Sequence, residues 1–373
     1  MTQVLIFTGS AGPGIAIAAA ATALRAATAG RRTLLLSLGS AHSLGALLGV
    51  AVGGTPTQIA PGLDALAIDG PADLSAAWEQ GRAQLPPQLA QIAGDELPLP
   101  PGVEMLFGLL RLDELASRYD LVALDAGPHD LLLRALALPD GLRWAVRLLF
   151  GLDRGPGRSH ASVVGALLPT SFMPADALGH VQELRVHAER LRALLTAPGQ
   201  ASAHYVLRPD RTALEEARLA IPAAQLHGLA IAGIVAGPLL PDGLATTSFG
   251  AQQSAFLAEA RAAWPSRQLC QFALSDAEHG LATVRAIGAQ LDVDGVGGAV
   301  AAPIVEEWQG APAVAIELPG LPKNVLQLTL SGDELIVRVG PYRRHILLPE
   351  GLRGSANIRA TREGERLIVR RRA

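Results

Sequence analysis

Hydrophobic positions in this chain fall into short unbroken runs, separated by longer stretches of mixed polarity. The runs are residues 4–7 (VLIF), 33–36 (TLLL), 63–68 (LDALAI), 121–124 (LVAL), 205–207 (YVL), 229–235 (LAIAGIV) and 268–274 (QLCQFAL). Apart from Asp64 in the third run and Gln271 in the last, these runs have no polar residue inside them, which is what strands covered on both faces look like. Between them, residues 15–29, 103–117, 176–195, 212–220, 254–263 and 278–287 carry apolar residues at helical spacing. Residues 72–93 read as a helical region broken at Pro86-Pro87. Strands alternating with helices predict an α/β fold with a doubly wound, mostly parallel sheet over residues 1–298. After residue 298 the pattern changes to short alternating strands with turn signals at Gly332-Asp333, Gly340-Pro341 and Glu363-Gly364. That predicts a small all-β sandwich over residues 313–373.

The first strand, the turn after it and the first helix set up the question of function. Gly9, Ser10, Ala11, Gly12, Pro13 and Gly14 form a glycine-rich turn between residues 4–7 and the alanine-rich 15–29. A nucleoside-triphosphate loop needs glycines for the backbone cradle, a lysine at the helix start, and a Ser or Thr hydroxyl for Mg²⁺. Here the lysine position is Ile15, the hydroxyl position is Ala16 followed by Ile17, and Pro13 withholds one N–H. Lys323 is the only lysine in the chain. Losing a charge-assisted contact of this kind removes roughly 1.5–3 kcal/mol. The helix N-terminus keeps its partial positive charge, so weak anion binding stays open beside a purely structural role for the glycines.

Composition narrows the surroundings. Hydrophobic residues make up 49% and charged residues 17%, and mean hydropathy is +0.29, enough for a sizeable core. No apolar run reaches the 18–20 residues of a membrane helix, and the N-terminus has no basic, signal-like region; the expected compartment is the cytoplasm. The net charge of −3 argues against a nucleic-acid partner. Cys270 is alone, so no internal disulfide is expected. His180 and His187 lie seven residues apart without a third ligand, so no metal site is expected. Asp125, His129 and Asp130 follow a strand and read either as acid–base chemistry or as a polar loop. No nucleophile elbow is present.

The stretches TGSAGPGIAIAAAATALRA and GRRTLLLSLGSAHSLGALLG resemble the arsenite-efflux and tail-anchored-protein-targeting ATPase family (ArsA-like, anion-transporting ATPases). In that family the loop reads GKGGVGKTT. The resemblance places its signature lysine at Ser10, its phosphate-binding lysine at Ile15, and its two threonines at Ala16 and Ile17. The water-orienting aspartate of the family's first switch (DPAHS) falls on Gly39 and its proline on Ser40, while Ala41, His42, Ser43 and Leu44 match. The second switch (DTAPTGH) resembles residues 125–130, with Asp125 and Pro128 retained, and the adenine-binding asparagine falls on Gly237. The chain's only asparagines are Asn324 and Asn357.

The resemblance implies a homodimer whose helices, at about residues 131–195, form a groove for hydrophobic client helices of tail-anchored or other membrane proteins. Leu142, Trp144, Leu148, Phe150, Phe172 and Met173 are the candidate groove residues; core helices under the sheet are the alternative. Residues 313–373 resemble the small-heat-shock (α-crystallin-type, Hsp20-like) domain of some relatives. The expectation is a pseudo-ATPase that scaffolds clients without a cofactor. The alternatives are a divergent Mg·ATP-dependent enzyme using Asp125 with an arginine, and a binder of another anion at the glycine turn.

Overall fold

The computed structural model describes residues 2–39, 41–84, 87–99, 102–150, 177–274, 280–291, 293, 301–322, 324–355 and 357–372, with the side chains of 41–42, 84, 144–150 and 177–184 outside the description. The chain divides into two compact units. One comprises residues 1–135, 198–217 and 231–300, and the other residues 136–197, 218–230 and 301–373.

The first unit is built on an eight-stranded sheet. Its strands are β1 (Gln3–Gly9), β2 (Thr33–Ser37), β3 (Thr57–Ala60), β4 (Leu63–Ala67), β5 (Leu121–Pro128), β6 (Ala201–Leu207), β7 (Ile231–Leu239) and β8 (Gln268–Ala273). Their order is β3-β4-β2-β5-β1-β6-β7-β8. All pairings are parallel except β3 with β4. The apolar runs become the central strands because both faces are covered: Ile6, Phe7, Leu34, Leu35 and Leu36 are fully buried. The α/β expectation and its mostly parallel sheet hold. The edge strand β3 was not expected, because TQIA is short and half-exposed and carries little periodic signal.

Helix α1 (Gly14–Thr28) lies on this sheet through Ala18, Ala19, Ala20, Ala21 and Ala23, each 0 or 1% exposed. Alanine is the best helix former and its small side chain lets two backbones approach. A Cβ on Gly288 would stand 2.9 Å from the Ala21 carbonyl, so α9 (Leu281–Gln290) also packs closely on α1. Helix α2 is Ala41–Leu48. The long helix expected over 72–93 is shorter. Asp69 Oδ1 caps α3 (Gly70–Gly81) by accepting from Ala72 N at 3.2 Å, with Pro71 in the first turn. Only a 3₁₀ turn, Arg82–Gln84, follows before the prolines. Helix α4 is Val103–Leu115.

Helix α5 (His129–Phe150) starts where a loop was the alternative reading, so His129 and Asp130 open a helix. After α6 (Ala177–Thr196), α7 runs from Arg211 to Leu226 and passes through Pro222 without ending, six residues beyond the expected end; α8 is Ser248–Ala263. No helix among the described residues is long and apolar enough to cross a membrane.

The second unit holds two antiparallel sheets. One has the order β14-β15-β10-β9 and the other β11-β12-β13. The strands are β9 (Ile304–Trp308), β10 (Ala311–Glu317), β11 (Leu326–Ser331), β12 (Glu334–Val339), β13 (Tyr342–Leu347), β14 (Ile358–Glu363) and β15 (Arg366–Arg371). Val314 and Ile316, Leu335, Val337 and Val339, and Leu367 and Val369 supply one shared apolar core, as in a sandwich. Leu226, at the end of α7, belongs to the same core.

Beside that core the second unit contains a cluster of charges. Asp140 on α5 is 9% exposed. Its Oδ1 lies 3.1 Å from Arg192 Nη1 on α6 and 3.6 Å from Arg143, and its Oδ2 lies 3.9 Å from Arg344 Nε on β13. Arg143 also reaches Glu334 at 3.6 Å and donates to the His345 carbonyl at 3.2 Å. Arg344 donates to the Leu226 carbonyl. Burial pushes the Arg344 guanidinium down to about 10, and Arg192 beside it acts in the same direction.

Candidate functional site

The glycine turn sits at the carboxyl ends of β1, β5 and β6, where open parallel sheets place their ligands. Two of its glycines answer to packing. A Cβ on Gly9 would meet the Val206 carbonyl oxygen at 2.0 Å, and one on Gly14 would meet the Gly237 carbonyl oxygen at 2.8 Å. Gly12 stands at φ +143° with open space around it, a backbone region that only glycine enters freely. Gly9→Ala is therefore expected to destabilise the first unit by about 1–3 kcal/mol through backbone displacement, read as a shift in the denaturation midpoint. A change below half a kcal/mol would show that β6 yields freely.

The residues around the turn do not fit Mg·ATP. Ile15 is 2% exposed and belongs to the core with Phe7, Val206 and Phe272. Its side chain carries no charge and is packed in that core. Ser10, at the signature-lysine position, is 4% exposed, and its hydroxyl has no hydrogen-bond partner among the described residues. Ala11, Gly12 and Pro13 are exposed, and Ala16 is half-buried. Pro13 precedes α1 without any side-chain cap. At the adenine position, a Cβ on Gly237 would stand 2.5 Å from Phe272 Cε1, so the ring leaves no room for an asparagine. A cavity of about 370 Å³ opens beyond it at the ends of β7 and β8, lined in part by Leu240, Gln253, Leu257, Phe272 and Gln290.

Asp125, at the end of β5, is 5% exposed. Its Oδ2 accepts from Ser37 Oγ at 2.7 Å and its Oδ1 accepts from Gly127 N at 3.2 Å. Burial pushes its carboxyl above the usual carboxylate range, and the Ser37 hydrogen bond opposes that rise. The Gly39 amide in turn donates to Ser37 Oγ at 3.1 Å. A Cβ at Gly39 would lie 3.3 Å from that oxygen, so the first-switch position abuts Ser37 and Asp125. The structure thus brings Gly39 and Asp125 together. Pro128, at the end of β5, is half-buried. The side chains of Ser40, Ala41 and His42 lie outside the described residues.

Four more residues complete the turn's surroundings: His129, already a candidate from the sequence, and Thr8, Tyr205 and Arg208, which the pattern alone did not single out. Thr8 Oγ1 donates to the Gly127 carbonyl at 2.9 Å. His129 Nδ1 is 3.0 Å from the Gly9 carbonyl. A carbonyl only accepts, so Nδ1 carries the proton. Tyr205 Oη lies 3.3 Å from the same nitrogen. Arg208, just past β6, donates from Nη1 to the Ala11 carbonyl at 2.9 Å and pairs with Asp210. Arg208 follows the apolar run 205–207, and the rule that located Asp125 at a strand's carboxyl end would have located it too.

Of the groove candidates, Leu142 is half-buried on α5. Trp144, Leu148 and Phe150 belong to α5 with side chains outside the described residues, as are Phe172 and Met173 altogether. No cluster of three His, Cys, Asp or Glu residues suited to a metal occurs among the described residues.

Comparison with known proteins gives the family. Residues 2–292 match the family model for anion-transporting ATPases, and residues 310–370 match an HSP20-like domain found in ArsA. A Chlorobaculum tepidum protein, provisionally named an arsenical pump-driving ATPase, is 27% identical over 371 residues, covering 94% of this chain and 91% of its own length. An uncharacterized protein of Streptomyces coelicolor is 33% identical over 364 residues, covering 94% and 92%. A protein of Mycobacterium tuberculosis is 30% identical over 416 residues, covering 99% and 95%. With its parallel sheet, its glycine turn and a match across residues 2–292, the chain belongs to the anion-transporting ATPase family.

Proposed function

We propose that this protein is a member of the family that no longer hydrolyses ATP and works as a dimeric, nucleotide-independent scaffold for hydrophobic client segments. The observation that carries the reading is Ile15, 2% exposed in the core where the phosphate-facing lysine would stand. Phe272 against Gly237 and the engagement of Asp125 with Ser37 support it. A helix N-terminus by itself contributes a fraction of a charge, too little to hold a triphosphate without a cation. The client role follows the family's helical region on α5 and α6, where an apolar helix would dock in a helix-in-groove mode.

Calorimetric titration with Mg·ATP and Mg·ADP is the test, paired with anisotropy of a labelled apolar helical peptide. The expected result is no heat up to millimolar nucleotide, and peptide capture that nucleotide does not alter. Micromolar nucleotide binding would overturn the loss of nucleotide chemistry. Absence of peptide capture would overturn the client role.

A second reading is favoured by Arg208, a cation hydrogen-bonded to the turn itself. In that reading Arg208 replaces the lysine, and the turn holds a small anion or a nucleotide with Asp125 beside it. Micromolar binding lost in Arg208→Gln would select it.

A further inference from the structure

Strand β14 is the outer strand of the four-stranded sheet in the second unit. It pairs with β15 on one side, and no backbone hydrogen bond occupies its other edge among the described residues. Such an edge offers a row of N–H and C=O groups to any added strand. Its hairpin with β15 carries more positive than negative charge, with Arg359, Arg362, Arg366, Arg370, Arg371 and Arg372 against Glu363 and Glu365. Arg359 on β14 stands directly opposite Arg370 on β15, and Arg371 and Arg372 follow. Like charges placed directly opposite destabilise a sheet. Arg370 has one exposed pairing, with Glu363 at 3.8 Å, and such surface pairs contribute little. Arg359, Arg371 and Arg372 are exposed, and their side chains have no partner among the described residues.

Charges on an edge strand also guard against unwanted sheet-to-sheet pairing. A guard needs charge on the edge strand alone. Here the positive charge continues onto the inner strand β15 and opposes β14 face to face, at a cost to the sheet. We propose that the β14 edge takes an extended acidic polypeptide segment as an added strand. Its main chain would satisfy the open edge of Ile358–Glu363, and a carboxylate placed on the face of Arg359 would answer that residue and Arg370 across from it. Nucleic acids and anionic lipids present negative charge as well, but neither supplies the alternating main-chain donors and acceptors that an open edge pairs with.

The test uses the full chain and a labelled ten-residue peptide of alternating Asp and Val, with an alternating Lys and Val peptide as control. Expected are binding of the acidic peptide alone, weakening in high salt, and slowed amide exchange across Ile358–Glu363 in the complex. The double substitution Arg359→Gln and Arg370→Gln, which removes both members of the facing pair, should weaken binding at least tenfold while leaving the melting temperature equal or higher. Four results would each overturn the proposal: no acidic-peptide binding at 100 µM-scale concentration, roughly equal binding by the double variant, binding without protection of β14, or displacement of the peptide by phosphatidylglycerol vesicles or a single-stranded oligonucleotide at lower concentration than unlabelled peptide.

Discussion

Asp140→Ala is expected to destabilise the second unit by about 3–5 kcal/mol, the cost of stranding buried charge. Asp140 faces three guanidiniums, those of Arg192, Arg143 and Arg344. With its carboxylate gone, Glu334 is the remaining acid in the cluster, and it reaches Arg143 and His345. Arg344 suffers most. Burial and Arg192 already lower its pKa, and Asp140 is the group that raises it. The cluster joins residues on α5, α6 and β12–β13, so amide exchange in β12 and β13 should accelerate along with the loss of stability. Asp140→Asn keeps the shape and removes only the charge, and should give most of the same loss. Adding Arg192→Met to Asp140→Ala should recover part of it, because one stranded charge is removed with its partner. Chemical denaturation of the three variants measures this. A loss below 1 kcal/mol for Asp140→Ala would mean that water reaches the arginines and replaces the carboxylate.

The second large effect is acid sensitivity at His204. The ring lies in β6, 1% exposed, stacked on Phe7 at 5.4 Å, and neither ring nitrogen has a hydrogen-bond partner among the described residues. Burial pushes its pKa from 6.5 down to about 4. The unfolded chain therefore takes up a proton between pH 6.5 and pH 4 that the folded chain refuses. Stability from this group is complete above pH 6.5 and falls as pH drops toward 4. Two and a half pKa units correspond to about 3 kcal/mol, of which about 2 kcal/mol is lost by pH 5. His204→Leu should flatten the decline, so the difference between variant and parent at pH 5 exceeds that at pH 7.5 by about 2 kcal/mol. Equal differences at both pH values would show that the ring is protonated in the fold. His227, pushed down to about 3 by burial and then by Arg344 and Arg192, should add a similar slope in the second unit.

Much of the sheet was legible because central parallel strands need unbroken apolar runs, and residues 4–7, 33–36 and 121–124 carry them. Edge strand β3 and the extension of α7 through Pro222 were not, since neither follows from local preference. Proline inside a helix removes one hydrogen bond, and here packing tolerates that loss: Ile221, Ala223 and Leu226 are 0% exposed.

The sequence by itself determined what chemistry the glycine turn lacks. Ile15, Ala16 and Gly39 stand where the family's loop and first switch carry a lysine, a threonine and an aspartate, so none of those groups is supplied at its own position. Composition and pattern likewise determined an α/β sheet followed by an all-β module. Only the tertiary structure decided which distant residues surround the turn. Ser37 is 88 residues from Asp125 and Arg208 is 197 residues from Ala11, yet each pair is hydrogen-bonded. The approach of Val206 to Gly9 and of Phe272 to Gly237 is likewise set between strands. Local spacing records which face of an element is buried. Which distant residue arrives at that face depends on strand order, and strand order emerges only when the sheet is assembled.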